Sequence, residues 1–309
     1  YYIENDDYKQ AEQQYLLVHK YSPESQGTVM ALALLRLQAD DSEKARYYLN
    51  LALKQEPRND LPRIYLGEIA TSENKLDEAE QWLRAVTDTD QLFSARLRLA
   101  EVINRRDGID AALRELEGIH PVSTEQQAEL ALIRNEMLVD AERFDEARDA
   151  LNRVIGDQPD SIELLYARAM VAAQQNDVPA LEADLRKVLK LNPDHVHSMN
   201  ALGYTLADQT DRIKEAEELV SGALAKRPDD PFILDSYGWV KYRQGDLKEA
   251  EKYLQRALSL RNDPEIAAHL VEVLWVQGNK SEAQAIWNKA NTDFPDNKLL
   301  NAVHNEFLQ

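Results

Sequence analysis

His195-Val196-His197 is the one close pair among six histidines, and paired imidazoles are the usual beginning of a zinc or copper centre. Set two residues apart around a helix start, the rings are expected to point to different sides, so no metal site is read here. Acidic residues are plentiful, but no spacing places two of them across a cleft as a general acid and base. The sequence has no GxxxxGK[ST] phosphate loop, no HExxH, no GxSxG and no DxDxDG calcium loop. With zero cysteines it has no thiolate or disulfide chemistry. What remains is recognition chemistry, carried by four tryptophans and thirteen tyrosines. Trp239 stands out in DSYGWVKYRQGDLKEAEKYLQRAL (235–258), which reads as a helix, a break at Gln244-Gly245-Asp246, and a second helix. Its indole either packs inside the fold or faces a partner.

The elements that must position these side chains are helices. Glycine (10) and proline (11) are scarce in 309 residues, which favours helices joined by short turns. Apolar residues at 44% and charged residues at 29% describe a core-forming chain rather than a disordered one. The balance of 36 − 55 = −19 disfavours nucleic acid, whose phosphates need lysine and arginine clusters, and disfavours adhesion to an anionic leaflet. No apolar run approaches the ~18 residues that a membrane span needs. A cysteine-free chain suits the cytosol and the periplasm alike. The chain opens on Tyr1-Tyr2-Ile3, inside a repeat and without a signal-like segment. We read it as a fragment whose targeting signal or lipid-attachment cysteine would lie upstream.

The repeat shows in a series of small residues: Ala11, Ala45, Ala79, Ala112, Ala147, Ala216, Ala250 and Ala283, with Leu181 filling the one gap. Successive intervals are 34, 34, 33, 35, 34, 35, 34 and 33. Twelve residues after most anchors comes a proline: Pro23, Pro57, Pro159, Pro193, Pro228 and Pro295. Twelve or thirteen before lies another small residue: Gly67, Ala100, Ala169, Gly203 or Gly238. Small residues let two paired helices approach closely, and proline after the second helix stops it. One such pair cannot bury its apolar face alone, so neighbours must stack. The expectation is a single all-α array over 1–309: the second helix of a truncated repeat in 1–23, eight full repeats in 24–295, and a terminal helix in 296–309. That last helix reads as a cap or as the start of another repeat. The repeat anchored at Ala79 has Gln91 at the proline place, the one anchored at Ala112 lacks the proline, and the one anchored at Ala216 has one extra residue near 209–212.

A period of 34 with these marks resembles the tetratricopeptide repeat (TPR), over essentially the whole chain. The resemblance implies a right-handed α-solenoid of antiparallel helix pairs, with partners bound along a concave face by positions 2, 5, 9, 12 and 13 of each repeat, the anchor being position 20. In the first half these positions hold mixed and acidic residues: Glu68, Glu101, Asn104, Arg105, Glu129, Glu136, Asp140 and Glu163. Such a face is either merely solvated or attracts basic segments. In the second half they collect Tyr166, His197, Asn200, Tyr204, Asp208, Phe232, Asp235, Trp239, Tyr242, Arg243, Glu272 and Trp275. Aromatics with arginine and a polar rim make up interface hot spots, which supports a partner-binding role. Packing of Tyr204, Trp239 and Trp275 between adjacent helices is the competing reading. The packing tryptophan of a typical repeat belongs at position 4, where Leu234 stands. Trp239 is at position 9 and is therefore expected to face the groove. Trp287, at position 24, replaces the core leucines Leu49, Leu83, Leu151, Leu185 and Leu254. For Trp82 outward and lateral placements stay open.

Residues 200–290, with LGYTLADQTDRIKEAEELV and DSYGWVKYRQGDLKEAEKYLQRAL, resemble the C-terminal repeats of the LbcA-type proteobacterial outer-membrane TPR lipoproteins. That resemblance implies a periplasmic adaptor, lipid-anchored upstream of this chain, that binds a carboxyl-terminal processing protease and presents its protein substrates. The first helices hold almost no lysine apart from Lys241, so the carboxylate clamp of chaperone-tail binders is not visible, and position 6 carries no asparagine ladder. We expect a non-enzymatic protein-interaction scaffold with no cofactor or metal. Two other readings stand beside the adaptor: the recruiting region of a larger enzyme, and an assembly scaffold of envelope machinery.

Overall fold

The computed structural model describes residues 8–23 and 25–308. The first seven residues of the expected truncated repeat, Glu24 and Gln309 lie outside the described residues. Among the described residues there is no strand; the elements are α1 (Tyr8–Tyr21), α2 (Gln26–Gln38), α3 (Ser42–Gln55), α4 (Leu61–Ser72), α5 (Leu76–Arg84), α6 (Thr89–Asp107), α7 (Ile109–Glu117), α8 (Thr124–Asp140), α9 (Phe144–Asp157), α10 (Ile162–Gln174), α11 (Val178–Leu191), α12 (Val196–Gln209), α13 (Ile213–Lys226), α14 (Pro231–Arg243), α15 (Leu247–Leu260), α16 (Pro264–Val276), α17 (Lys280–Asp293), α18 (Lys298–Val303) and a π-helical turn (His304–Leu308). The fold is an all-α solenoid of helix pairs. The chain divides into two compact units, one ending at Ala150 and one beginning at Leu151, within α9.

Most pairs are closed by the same local device. Two residues past the end of the first helix the chain turns left-handed, as at Asp40 (φ 54°), Asn74 (57°), Asn176 (55°), Gly245 (84°) and Gly278 (89°). The amide of the next residue then reaches back five positions, as Asp246 N does to Lys241 O at 2.9 Å and Asp177 N to Ala172 O at 2.9 Å. Several of these second residues are aspartates whose carboxylates cap the following helix: Asp41 accepts from Lys44 N, Asp177 from Ala180 N and Asp246 from Glu249 N. The α12/α13 turn lacks the left-handed residue, because the extra residue near 209–212 lets Thr210 run extended at φ −143°.

In the first unit, the buried anchors Ala45, Ala79 and Ala112 sit in clusters with Leu49, Leu83 and Leu116. Trp82 takes the lateral placement, half-buried against the Ala45 cluster, with its Nε1 donating to Glu78 Oε1 at 3.2 Å. In the second unit, Leu181, Ala216, Ala250 and Ala283 play the same part. The close approach is steric: a Cβ on Gly238 would lie 2.7 Å from Leu254 Cγ, and one on Gly203 would lie 2.5 Å from Val220 Cγ2 and 3.0 Å from Ala216 O. Gly203→Val is therefore expected to destabilise the second unit by ~1–3 kcal/mol through overpacking, read as an earlier urea midpoint. An unchanged midpoint would contradict the pairing of α12 with α13. Trp287 departs from the leucines it replaces: it is only half-buried, its Nε1 donates to Leu300 O at 2.9 Å, and its ring lies 4.4 Å from that of His304. It also packs against the Ala283 cluster and, with Leu300 of α18, against Ala267, Ala268 and Ala290.

Candidate protein-binding face

The first helices α12, α14 and α16 of the second unit pack side by side. They bring Tyr204, Asp208, Asp235, Trp239, Tyr242, Arg243 and Glu272 together. The centre of the group is the Trp239 ring, stacked on His269 at 4.2 Å and 25°, with Tyr242 at 5.0 Å on its flank. Its Nε1 donates to Asp208 Oδ1 at 3.1 Å, and Arg243 donates to the backbone carbonyl of Asp208 at 2.6 Å. Trp239 is 7% exposed and Asp235 5%. The expectation that Trp239 faces the groove beside Asp235 is thus corrected. Position 9 here lies between neighbouring helices, and a carboxylate acceptor from α12 and an imidazole from α16 enclose the indole.

His269, at 9% exposure, joins the three helices. Its Nδ1 lies 2.9 and 3.1 Å from the two Asp235 carboxylate oxygens, and its Nε2 lies 3.4 Å from Tyr204 Oη. Tyr204 Oη donates to Glu265 Oε1 at 3.2 Å, and Tyr242 Oη donates to Glu272 Oε1 at 2.8 Å. Burial alone would depress the His269 imidazole, but the Asp235 carboxylate beside it raises it. Burial pushes Glu265 up, with help from the Asp235 charge and against His269. Burial pushes Glu272 up as well, against the Tyr242 hydrogen bond. Burial first, and then the surrounding carboxylates, raise both phenols, so they serve as neutral donors. The face thus offers half-buried carboxylates and phenols on a rigid aromatic base. Sequence reasoning missed His269 and Glu265. Glu265, His269 and Glu272 recur at i, i+4 and i+7 on α16, one stripe of a helix, and that spacing was the available signal.

The remaining candidates stand apart from this group. Tyr166 lies 5.5 Å from the His195 ring and 6.4 Å from that of His197. The two histidine rings are 6.1 Å apart, edge to face, rather than on different sides. His195 Nδ1 caps α12, receiving Ser198 N at 3.2 Å, while the exposed His197 meets the Arg227 guanidinium at 3.3 Å. Burial, and then His197, depress the His195 imidazole. Among the described residues, no three His, Cys, Asp or Glu side chains converge as a metal would need. Asn200 Oδ1 is buried with no hydrogen-bond partner. Phe232 is 45% exposed under the Arg261 guanidinium at 4.8 Å, and Trp275 carries the Lys280 ammonium at 4.4 Å while packing on the Ala283 cluster. In the first unit, Glu101, Asn104 and Arg105 on α6 and Ile133, Glu136, Met137 and Asp140 on α8 line a cleft of about 240 Å³. Desolvation and the Glu136 charge raise Glu101 there. Glu68 instead pairs with Arg98 at 2.6 Å, and Glu129 and Glu163 are exposed.

Three family models match the chain in succession: a tetratricopeptide repeat-like domain over residues 49–180, and tetratricopeptide repeats over 182–231 and 241–305. The chain is a tetratricopeptide-repeat protein. TPR repeat-containing protein PA4667 of Pseudomonas aeruginosa is 38% identical over 213 residues, covering 69% of this chain and 36% of that protein. Bacteriophage adsorption protein A of Escherichia coli K12 is 35% identical over 107 residues, 35% of this chain and 11% of that protein. The chain therefore spans about a third of the first relative's length and a smaller share of the second's. A TPR protein from Parabacteroides merdae superposes with a TM-score of 0.63 at 14% identity, covering 81% of this chain and 99% of that one. The TPR protein TTC0263 of Thermus thermophilus gives 0.53 at 22% identity, covering 59% and 98%. At these identities the two structures show the fold. TPR proteins are generally non-enzymatic scaffolds, and the fold of this chain is that of a protein–protein interaction scaffold.

Proposed function

We propose that the chain is an adaptor of the bacterial envelope that binds a carboxyl-terminal processing protease and presents protein substrates to it. The observation that carries the reading is the face of α12, α14 and α16, where the phenols of Tyr204 and Tyr242 and the carboxylates of Glu265 and Glu272 stand on a rigid aromatic base. Tyrosine-rich faces with desolvated polar groups anchor protein partners. Carboxylates that no lysine or arginine neutralises within the group favour a basic or amide-rich segment. The periplasmic assignment rests on the resemblance of residues 200–290 to adaptor lipoproteins. A relative named for bacteriophage adsorption, an event at the cell surface, is in keeping with it. Size-exclusion chromatography of the purified chain mixed with the processing protease of the same organism should show one earlier-eluting species. Separate elution at micromolar concentrations of both would overturn the protease reading while leaving the scaffold intact.

A further inference from the structure

The protons available to Asp235, His269, Tyr204 and Glu265 do not match their hydrogen bonds unless one extra proton is bound. His269 Nδ1–H serves the Asp235 carboxylate at 2.9 Å. The single Tyr204 hydroxyl proton has two acceptors in reach, Glu265 Oε1 at 3.2 Å and His269 Nε2 at 3.4 Å. With a neutral imidazole and an ionised Glu265, one of those acceptors is left bare in a largely buried site, which is costly. With an imidazolium, Nε2–H donates to Tyr204 Oη, Tyr204 donates to Glu265, and every group is satisfied. The added positive charge also sits between two carboxylates. We propose that these four side chains form a proton-held clasp that fastens α12, α14 and α16 together and loosens when the proton leaves.

Every element around the imidazole enters the balance. From α12 come Tyr204 and Asp208, and from α14 come Asp235 and Tyr242, with Arg243 held on the Asp208 carbonyl. From α16 come Glu265 and Glu272, with the helix-capping Asp263 acting on Glu265 and Glu306 of the terminal turn acting on Glu272. Apart from His269 and Arg243 these charged groups are acidic, so deprotonation leaves a neutral ring among carboxylates. The direction of the pH effect follows. His269 and Glu265 are both raised in the folded chain, so the folded state binds more protons than the unfolded one and stability falls with rising pH. The histidine part is fully present below its unfolded value of 6.5 and is lost as pH rises through the higher folded value.

The device does not depend on any partner, so its test is on the chain alone. Thermal melts of wild type and His269→Gln between pH about 6 and about 9 should show a wild-type advantage that shrinks by roughly 2–4 °C or more as pH rises. A gap that stays constant across that range overturns the clasp. Should the variant fail to fold, the wild-type emission of Trp239, taken as the difference from Trp239→Phe, decides the matter. A stacked imidazolium quenches indole, so the difference should rise in one step over the same range; a flat difference overturns the proposal.

Discussion

Trp239→Ala is expected to destabilise the second unit by ~3–5 kcal/mol, the usual cost of emptying a buried tryptophan site. The ring is almost wholly enclosed, stacked on His269 at 4.2 Å and flanked by Tyr242 at 5.0 Å. Its loss leaves a void between α14 and α16 and strips Asp208 of its indole donor. A contact hot spot on an open surface would behave differently, costing affinity but little stability. Urea unfolding followed by far-ultraviolet circular dichroism separates the two. A midpoint close to wild type would return Trp239 to the exposed role that its repeat position suggested.

Asp60→Ala should cost the first unit about 3 kcal/mol, because it strands several donors at once. Asp60 is 1% exposed at the start of α4. Its Oδ2 accepts from the amides of Thr87 and Asp88 and the Thr87 hydroxyl, and its Oδ1 pairs with Arg63. Burial opposes its ionisation, but the two amides and the Arg63 charge outweigh that and lower it. A depressed carboxylate contributes stability above its unfolded value of 3.8 and loses it as pH falls through the lower folded value. Wild type should therefore shed this part of its stability at strongly acid pH, and Asp60→Ala should not. Calorimetric melts of both proteins over that range check this. Parallel pH profiles would show that the carboxylate does not hold the turn.

Asp60 also shows where reading the chain stops. The repeat anchored at Ala79 has Gln91 in the proline place. Its second helix, α5, ends early at Arg84, and a carboxylate 27 residues upstream holds the turn instead. No local pattern announces a hydrogen bond across that separation. The period of 34, by contrast, made the helix pairs legible, because the small residues answer to a steric need that repeats in every pair: Ala45, Ala79, Ala112, Ala147, Ala216, Ala250 and Ala283 are all buried. The face on α12, α14 and α16 was half legible. Fixed positions found Tyr204, Trp239, Tyr242 and Glu272. They could not tell a residue on the groove floor from one between helices, since that depends on which partner the adjacent helix supplies. Trp239 is buried because His269 is there, and His269 stands at position 6 of its repeat, outside the positions expected to face the groove.

On the proposed function, partners bind along α12, α14 and α16. The most direct measurement is the equilibrium affinity of the processing protease for chains carrying a single charge reversal, on a first helix or on a second helix of the second unit. Glu272→Lys on α16 should weaken binding about tenfold or more, as expected of a hot-spot contact. Glu218→Lys, exposed on the second helix α13, should leave it unchanged. Equal losses from the two reversals, or none from Glu272→Lys, would contradict the placement of the binding face.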